Sequence, residues 1–183
     1  MPRIKAVDPS QAEGKAKTLL DAVQKKYGMV PNLMKTMANS PAVLESYMNF
    51  SQTIGGGSFS PAVREQIAVA IAGVNGCDYC ASAHTAAGKG AGVATEELQA
   101  NLRGFSGEPK VEAALTFAKA VVSKRGWIAD EELENFRAAG YGDGELAEVI
   151  GLVALNTFSN YFNHVAETEI DFPLVESSER AKV

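Results

Sequence analysis

Two cysteines, a histidine and a carboxylate stand close enough in this sequence to act together. Cys77 and Cys80, the only two cysteines, have C-x-x-C spacing; His84 follows after three residues, and eleven residues separate Glu65 from Cys77. A thiolate attacks peroxides and disulfides where a thiol does not. A second sulfur three residues away can resolve what the first forms. In such a cycle a thiolate is oxidised to a sulfenic acid and its neighbour closes it to a disulfide with loss of water. An external dithiol then reopens the disulfide by exchange. His84, one turn beyond Cys80, is placed to accept that cysteine's proton, and Glu65 to orient the imidazole and hold the imidazolium. This is the nucleophile, base and orienter arrangement of the hydrolytic triads applied to a thiol. Tyr79, between the cysteines, is expected to donate a hydrogen bond to the peroxide or to the leaving oxygen.

Each residue also has a plainer reading. The cysteines could be small buried hydrophobes, and Glu65 a first-turn carboxylate favoured by the helix dipole. Cys77, Cys80, His84 and the second histidine, His164, could make a four-ligand zinc site, but zinc fingers use a longer loop between paired ligands. No metal is therefore expected. His164 reads as a core or interface histidine satisfied by Asn160 or a backbone carbonyl. Asn156, Asn160 and Asn163 fall near its face as a buried polar network rather than a site. Met29, Met34, Met37, Met48 and Phe50 read as core filler, the alternative being an apolar entry for an organic peroxide.

The elements that position the cluster are helices. Apolar residues at the 3.6-residue period predict a helix over Ser10–Tyr27, stopped by Gly28. Asn32 is expected to cap Leu33–Ala38, and Ser40-Pro41 to start Ala42–Thr53. Ser60-Pro61 opens a nearly all-apolar, buried helix ending at Asn75-Gly76. Cys77 then begins another that runs to about Gly88. At about 100° per residue Cys77 and His84 share a face, with Cys80 about a sixth of a turn away. GKGAGVAT reads as a loop, followed by helices over Thr95–Arg103, Val111–Lys124, Glu131–Ala139 capped by Asp130, and Asp143 to about Glu167. The tail ESSERAKV is expected to fray. No segment alternates with period 2, so the fold class is all-α. A shift of 80 positions places Glu65 on Glu145, Cys80 on Asn160 and His84 on His164, which suggests two helical halves of similar plan with thiols only in the first.

Composition narrows the function further. The 183 residues are 46% hydrophobic, enough for one domain with a sizeable core. Within that domain we expect N-terminal helices over 1–57, the CxxC helix pair over 58–92 and C-terminal helices over 93–183. A net charge of −5 gives no basic face for nucleic acid. No signal-peptide or membrane-spanning pattern is evident, which predicts a cytoplasmic protein. In a reducing compartment a cysteine pair serves better as a catalytic dithiol than as a staple. The long apolar run Glu145–Phe162 suggests a subunit interface.

The motif Glu65, Cys77, Cys80, His84 resembles the core of the alkylhydroperoxidase D family, within the wider carboxymuconolactone decarboxylase-like superfamily. The flanks GMVPNLMKTMANSPAVLESY and AAGYGDGELAEVIGLVALNTFSNYFNHVAETEIDFP are similar to its peroxidase-related members. The resemblance implies an all-helical alkylhydroperoxidase D-like bundle. It also implies a CxxC hydroperoxide reductase or disulfide oxidoreductase without haem or flavin, and assembly as a trimer, dimer or hexamer. Its partners would be a hydroperoxide substrate and an external lipoyl- or thioredoxin-like dithiol, with no nucleic acid and no membrane. Carried over by position, Cys80 is the peroxide-reactive thiol, Cys77 its disulfide partner, and Glu65 and His84 the proton relay. General chemistry leaves the order of the cysteines open, because the N-terminal sulfur of such a helix is commonly the more exposed and acidic. The best-known pattern of the family has a histidine where this chain has Tyr79. Tyrosine is a poor base, with an unperturbed pKa of about 10, so part of the relay is missing or made differently. Decarboxylases of the superfamily lack the CxxC pair. The competing functions are a redox-sensing binding module without turnover and a lactone decarboxylase-like enzyme that uses Glu65 and His84 alone.

Overall fold

A computed structural model describes residues 1–177; Ser178 onward, most of the tail expected to fray, lies outside the described residues. Among those residues there are nine α-helices and no strand: α1 Gly14–Tyr27, α2 Asn32–Met37, α3 Pro41–Ile54, α4 Pro61–Asn75, α5 Asp78–Gly90, α6 Thr95–Leu102, α7 Pro109–Ser123, α8 Asp130–Ala138 and α9 Asp143–Ala166. The fold is all-α, as expected.

Helix α4 is the central element. Every residue from Gln66 to Gly73 is buried, because the helix is packed by α5, α6, α7 and α9. A helix hidden on all sides must be apolar all round, which is why it shows no polar stripe. At its start the Ser60 hydroxyl accepts the Val63 N–H at 3.3 Å, with Pro61 in the first helical turn. At its end Gly76 takes φ 69°, a left-handed conformation that glycine adopts without a Cβ clash. Gly73 is needed for a different reason: a Cβ there would lie 2.0 Å from the Leu102 carbonyl oxygen at the end of α6.

Two apolar clusters flank α4. One joins it to α7, α8 and α9 through Ile67, Ile71, Leu115, Phe117, Phe136 and Val149. The other joins α1, α2 and α3 to the α4–α5 turn through Leu20, Val23, Leu33, Met37 and Leu44, and includes Cys77, Tyr79 and Cys80. The CxxC segment is thus part of a hydrophobic core.

Several boundaries differ from expectation. Helix α1 begins at Gly14 rather than Ser10, because Asp8 accepts the Ser10 N–H and hydroxyl in a local turn. Helix α5 continues through Gly90, so GKGAGVAT is only partly loop. The cost of about 1 kcal/mol per helical glycine is offset by close packing at Gly88, where a Cβ would meet Leu98 at 2.7 Å. Asn32 and Asp130 are the first residues inside their helices, not caps.

The 80-residue shift pairs residues with unlike surroundings. Where α4 and α5 break at Gly76, α9 is continuous. Glu145 accepts the Gly142 N–H at 3.0 Å. His164 is exposed and stacked on Tyr161, so it is not a core histidine.

After α9 the chain crosses α2 and α5. Asp171 accepts the Asn32 N–H at 2.8 Å, the Ser82 hydroxyl accepts the Val175 N–H at 2.9 Å, and Asp78 accepts both the Ser177 N–H at 2.8 Å and its hydroxyl at 2.5 Å. Ser177, placed in the fraying tail by sequence, is therefore bound and buried.

Candidate active site

Helices α4 and α5 fold back on each other about Gly76. Glu65 lies eleven residues before that turn and His84 eight after it, an offset of about 4.5 Å along the axes that a glutamate side chain can span. His84 Nδ1 lies 2.7 Å from Glu65 Oε2. The side chains are 23% and 26% exposed, so the pair is neither sealed in the core nor free in solvent. A carboxylate bound to Nδ1 fixes the imidazole with its proton there and leaves Nε2 for chemistry. Glu65 is not in the first turn of α4, and its partner is the imidazole rather than the helix dipole.

Cys77 is the N-cap residue of α5. Its Sγ accepts the Cys80 N–H at 3.3 Å, the role that serine or aspartate commonly plays. Cys77 and Cys80 are disulfide-bonded, with Cα atoms 5.3 Å apart, and only 1% and 2% exposed. The two sulfurs differ in surroundings. Cys80 borders a cavity of about 380 Å³, which Glu65 and His84 also line, and Cys77 is absent from its walls. The rest of the lining is largely apolar and aromatic: Leu33, Met34, Tyr47, Tyr79 and Phe172, with the exposed Tyr27 and Met29 among the wall residues. Met29 and Met34 thus border the cavity, whereas Met37 is core and Phe50 is exposed.

Tyr79 does not fit the role that its position suggested. Its hydroxyl donates to Asp171 Oδ1 at 2.9 Å and accepts the Leu33 N–H at 3.0 Å. Burial and the adjacent Asp171 carboxylate push the phenol well above its ordinary range, against the Leu33 bond that favours ionisation. The one hydroxyl proton is committed, so Tyr79 has none for a peroxide oxygen. Its ring packs edge-on against Phe172 and forms cavity wall. Burial likewise keeps the Tyr47 phenol neutral.

The asparagines of α9 are buried, as expected, but they bond to separate partners and not to one another: the Asn156 amide donates to the Leu152 carbonyl at 2.8 Å. The Asn75 amide donates to Asn160 Oδ1 at 2.8 Å, and the Asn163 amide donates to Cys80 Sγ at 3.3 Å. Sequence reasoning placed Asn163 in a buried polar network but missed the thiol contact, 83 positions away. Asp171 was missed altogether. Among the described residues no group of three or more His, Cys, Asp or Glu side chains is arranged to hold a metal ion. His164 does not join the cysteines and His84 in such a set.

The Carboxymuconolactone decarboxylase family model matches residues 41–120. No curated protein matches the chain in sequence. Among solved structures, the alkylhydroperoxidase AhpD core of an uncharacterized peroxidase-related protein from Ralstonia eutropha JMP134 aligns with TM-score 0.83 and 22% identity, over 93% of this chain and 92% of that one. An uncharacterized peroxidase-related protein from Silicibacter sp. TM1040 aligns with TM-score 0.79 and 22% identity, over 92% and 94%. A cysteine-to-alanine variant of the debrominase Bmp8, in complex with 2,3,4-tribromopyrrole, aligns with TM-score 0.79 and 19% identity, over 93% and 92%. From α3 into α7 the chain is thus similar to the carboxymuconolactone decarboxylase family, and its fold is that of the alkylhydroperoxidase D-like structures.

Proposed function

We propose that the protein is a thiol-dependent hydroperoxide reductase whose Cys77–Cys80 dithiol is served by a Glu65–His84 proton relay. The observation that carries this reading is the cavity that Cys80 shares with the bonded Glu65–His84 pair. The Cys80 thiolate forms an S–O bond with the distal oxygen of the hydroperoxide as the O–O bond breaks. The departing alkoxide takes a proton from the His84 imidazolium, and the transferred oxygen keeps its hydrogen, giving a sulfenic acid and an alcohol. Cys77 sulfur then attacks Cys80 sulfur, forming the disulfide and expelling hydroxide, which leaves as water with the Cys77 proton. An external dithiol donates two electrons and two protons to restore the thiols. Cys80 is assigned the first attack because it borders the cavity and Cys77 does not. Tyr79 takes no proton in this scheme.

A second reading, reductive dehalogenation, is favoured by the aromatic walls Tyr27, Tyr47, Tyr79 and Phe172 together with the likeness to the debrominase. There the dithiol would supply two electrons, bromide would leave, and carbon would gain hydrogen. The exposed apolar face of α9, with Ile150, Phe158, Tyr161 and Val165, is proposed to cover a second copy of the chain.

Reduced protein mixed with one equivalent of an organic hydroperoxide tests the first reading. It predicts loss of two thiols and one equivalent of alcohol, with Cys77→Ser trapping a sulfenic acid on Cys80. If Cys77→Ser forms none while Cys80→Ser does, the order is reversed. If both thiols survive peroxide but are oxidised by a bromopyrrole, the second reading replaces the first. A pure redox sensor would change assembly without turnover, and a decarboxylase-like activity would survive thiol alkylation.

A further inference from the structure

We propose that Asn163 is a catalytic residue: its side-chain amide holds the Cys80 sulfur as that atom takes on negative charge. The chemistry it serves is the dithiol reaction proposed above, on which this inference rests. Asn163 Nδ2 donates to Cys80 Sγ at 3.3 Å, an ordinary length for a donor to sulfur, from a side chain that is 5% exposed. Asn163 Oδ1 has no partner among the described residues. A buried amide with its acceptor unmatched is costly to keep, so the position is expensive unless the amide has work at the sulfur.

The amide is also held in place. Asn160, three residues earlier on the same helix, is tied to Asn75 at the end of α4, just before Gly76 and the CxxC segment. The Asn163 carbonyl accepts the N–H groups of Glu167 and Thr168 as α9 ends. Cys80 is thus bounded by the cavity with Glu65 and His84 and by a fixed N–H donor on α9.

The donor acts wherever Cys80 sulfur is anionic. Before oxidation it favours the thiolate that attacks the peroxide oxygen. In the reductive step an incoming thiolate bonds to the cavity-facing Cys80 sulfur as the S–S bond breaks and the electron pair departs on Cys77; the reductant's second thiolate then attacks its own sulfur in the mixed disulfide, and the electron pair departs on Cys80 sulfur, where the amide N–H receives it. A hydrogen bond to a charged acceptor is worth roughly tenfold to a hundredfold in an equilibrium or rate.

The test uses full-length protein in a Cys77→Ser background, so that only Cys80 titrates as a thiol. The thiolate is followed by ultraviolet absorbance and by the pH dependence of iodoacetamide alkylation. Asn163→Leu keeps the volume and removes the donor; Asn163→Asp keeps the shape and supplies a carboxylate instead. The other ionisable groups on the shared cavity, Glu65, His84, Tyr27, Tyr47 and Tyr79, are unchanged in both. The expected result is that Cys80 titration moves to higher pH in Asn163→Leu and further in Asn163→Asp, with alkylation at neutral pH slowed tenfold to a hundredfold. Asn163→Gln, which retains an amide donor, restores part of the shift. Wild-type titration in Asn163→Asp, or in Asn163→Leu with a native thermal transition, overturns the proposal. Iodoacetamide needs no hydroperoxide, so a protein that fails to reduce peroxides yet shows the shift refutes the proposed function and leaves this inference standing.

Discussion

Replacing Tyr79 by phenylalanine separates a wall residue from a proton donor. The substitution deletes one oxygen that serves two buried partners: the Leu33 N–H at 3.0 Å and Asp171 Oδ1 at 2.9 Å. Stranding the Leu33 N–H costs about 1–3 kcal/mol, and losing a bond to a carboxylate adds to it. We expect a total near 3 kcal/mol, which for a chain of this size lowers Tm by roughly 6–12 °C. The alkaline limb of stability also changes. Because the folded phenol titrates above its ordinary value of 10.0, its contribution is complete below pH 10 and is lost as pH rises beyond it. Tyr79→Phe should flatten that loss in part, since Tyr47 is raised in the same direction. The rate of sulfenic acid formation, measured by stopped flow at a temperature where both proteins are folded, should change less than about threefold. A donor to the leaving oxygen is instead worth about 10²–10³ in rate. Unchanged stability with a hundredfold slower first step would refute the reasoning and return Tyr79 to the chemistry.

Other perturbations probe the remaining parts. His84→Gln should slow single-turnover oxidation by about 10²–10⁴, the usual worth of a positioned acid or base, and Glu65→Gln by less because the imidazole remains; equal rates in all three proteins would remove the relay. Burial raises the Glu97 carboxyl, but hydrogen bonds from Ser106, Asn101, Gly107 and Gln66 together outweigh it and hold it below 4.5. Its stabilisation is therefore present above pH 4.5 and lost as pH falls below that, and Glu97→Gln should remove this acid-side step in thermal melts. Val165→Glu, on the exposed face of α9, should shift sedimentation toward a smaller species; a wild-type monomer would contradict the proposed self-contact.

The local features of the fold were legible because short-range chemistry writes them. Ser60-Pro61 starts α4 and Gly76 ends it, as their caps require, and the Glu65–His84 contact follows from two helices folded about that glycine. What remained hidden is long-range. Asn163 reaches Cys80 across 83 positions, and Asp171 reaches Tyr79 across 92; no periodicity reports which helix face meets a returning segment. The reading of Tyr79 failed for that reason: proximity to the cysteines in sequence said nothing of a carboxylate arriving from beyond α9. Propensity ends the helix near Gly88; there a Cβ would meet Leu98 of α6, and α5 runs on through Gly90, where a Cβ would meet nothing. His164 reads from sequence as a core or interface histidine, and its exposed place on α9 excludes the core half of that reading.

The most direct test of the central claim is steady-state consumption of an organic hydroperoxide with a dithiol such as dihydrolipoamide as reductant. The account predicts turnover by the wild-type protein, with one disulfide of the reductant formed per peroxide, and its loss in Cys80→Ser. Turnover that survives Cys80→Ser, or none in the wild type with any hydroperoxide and dithiol, would contradict it.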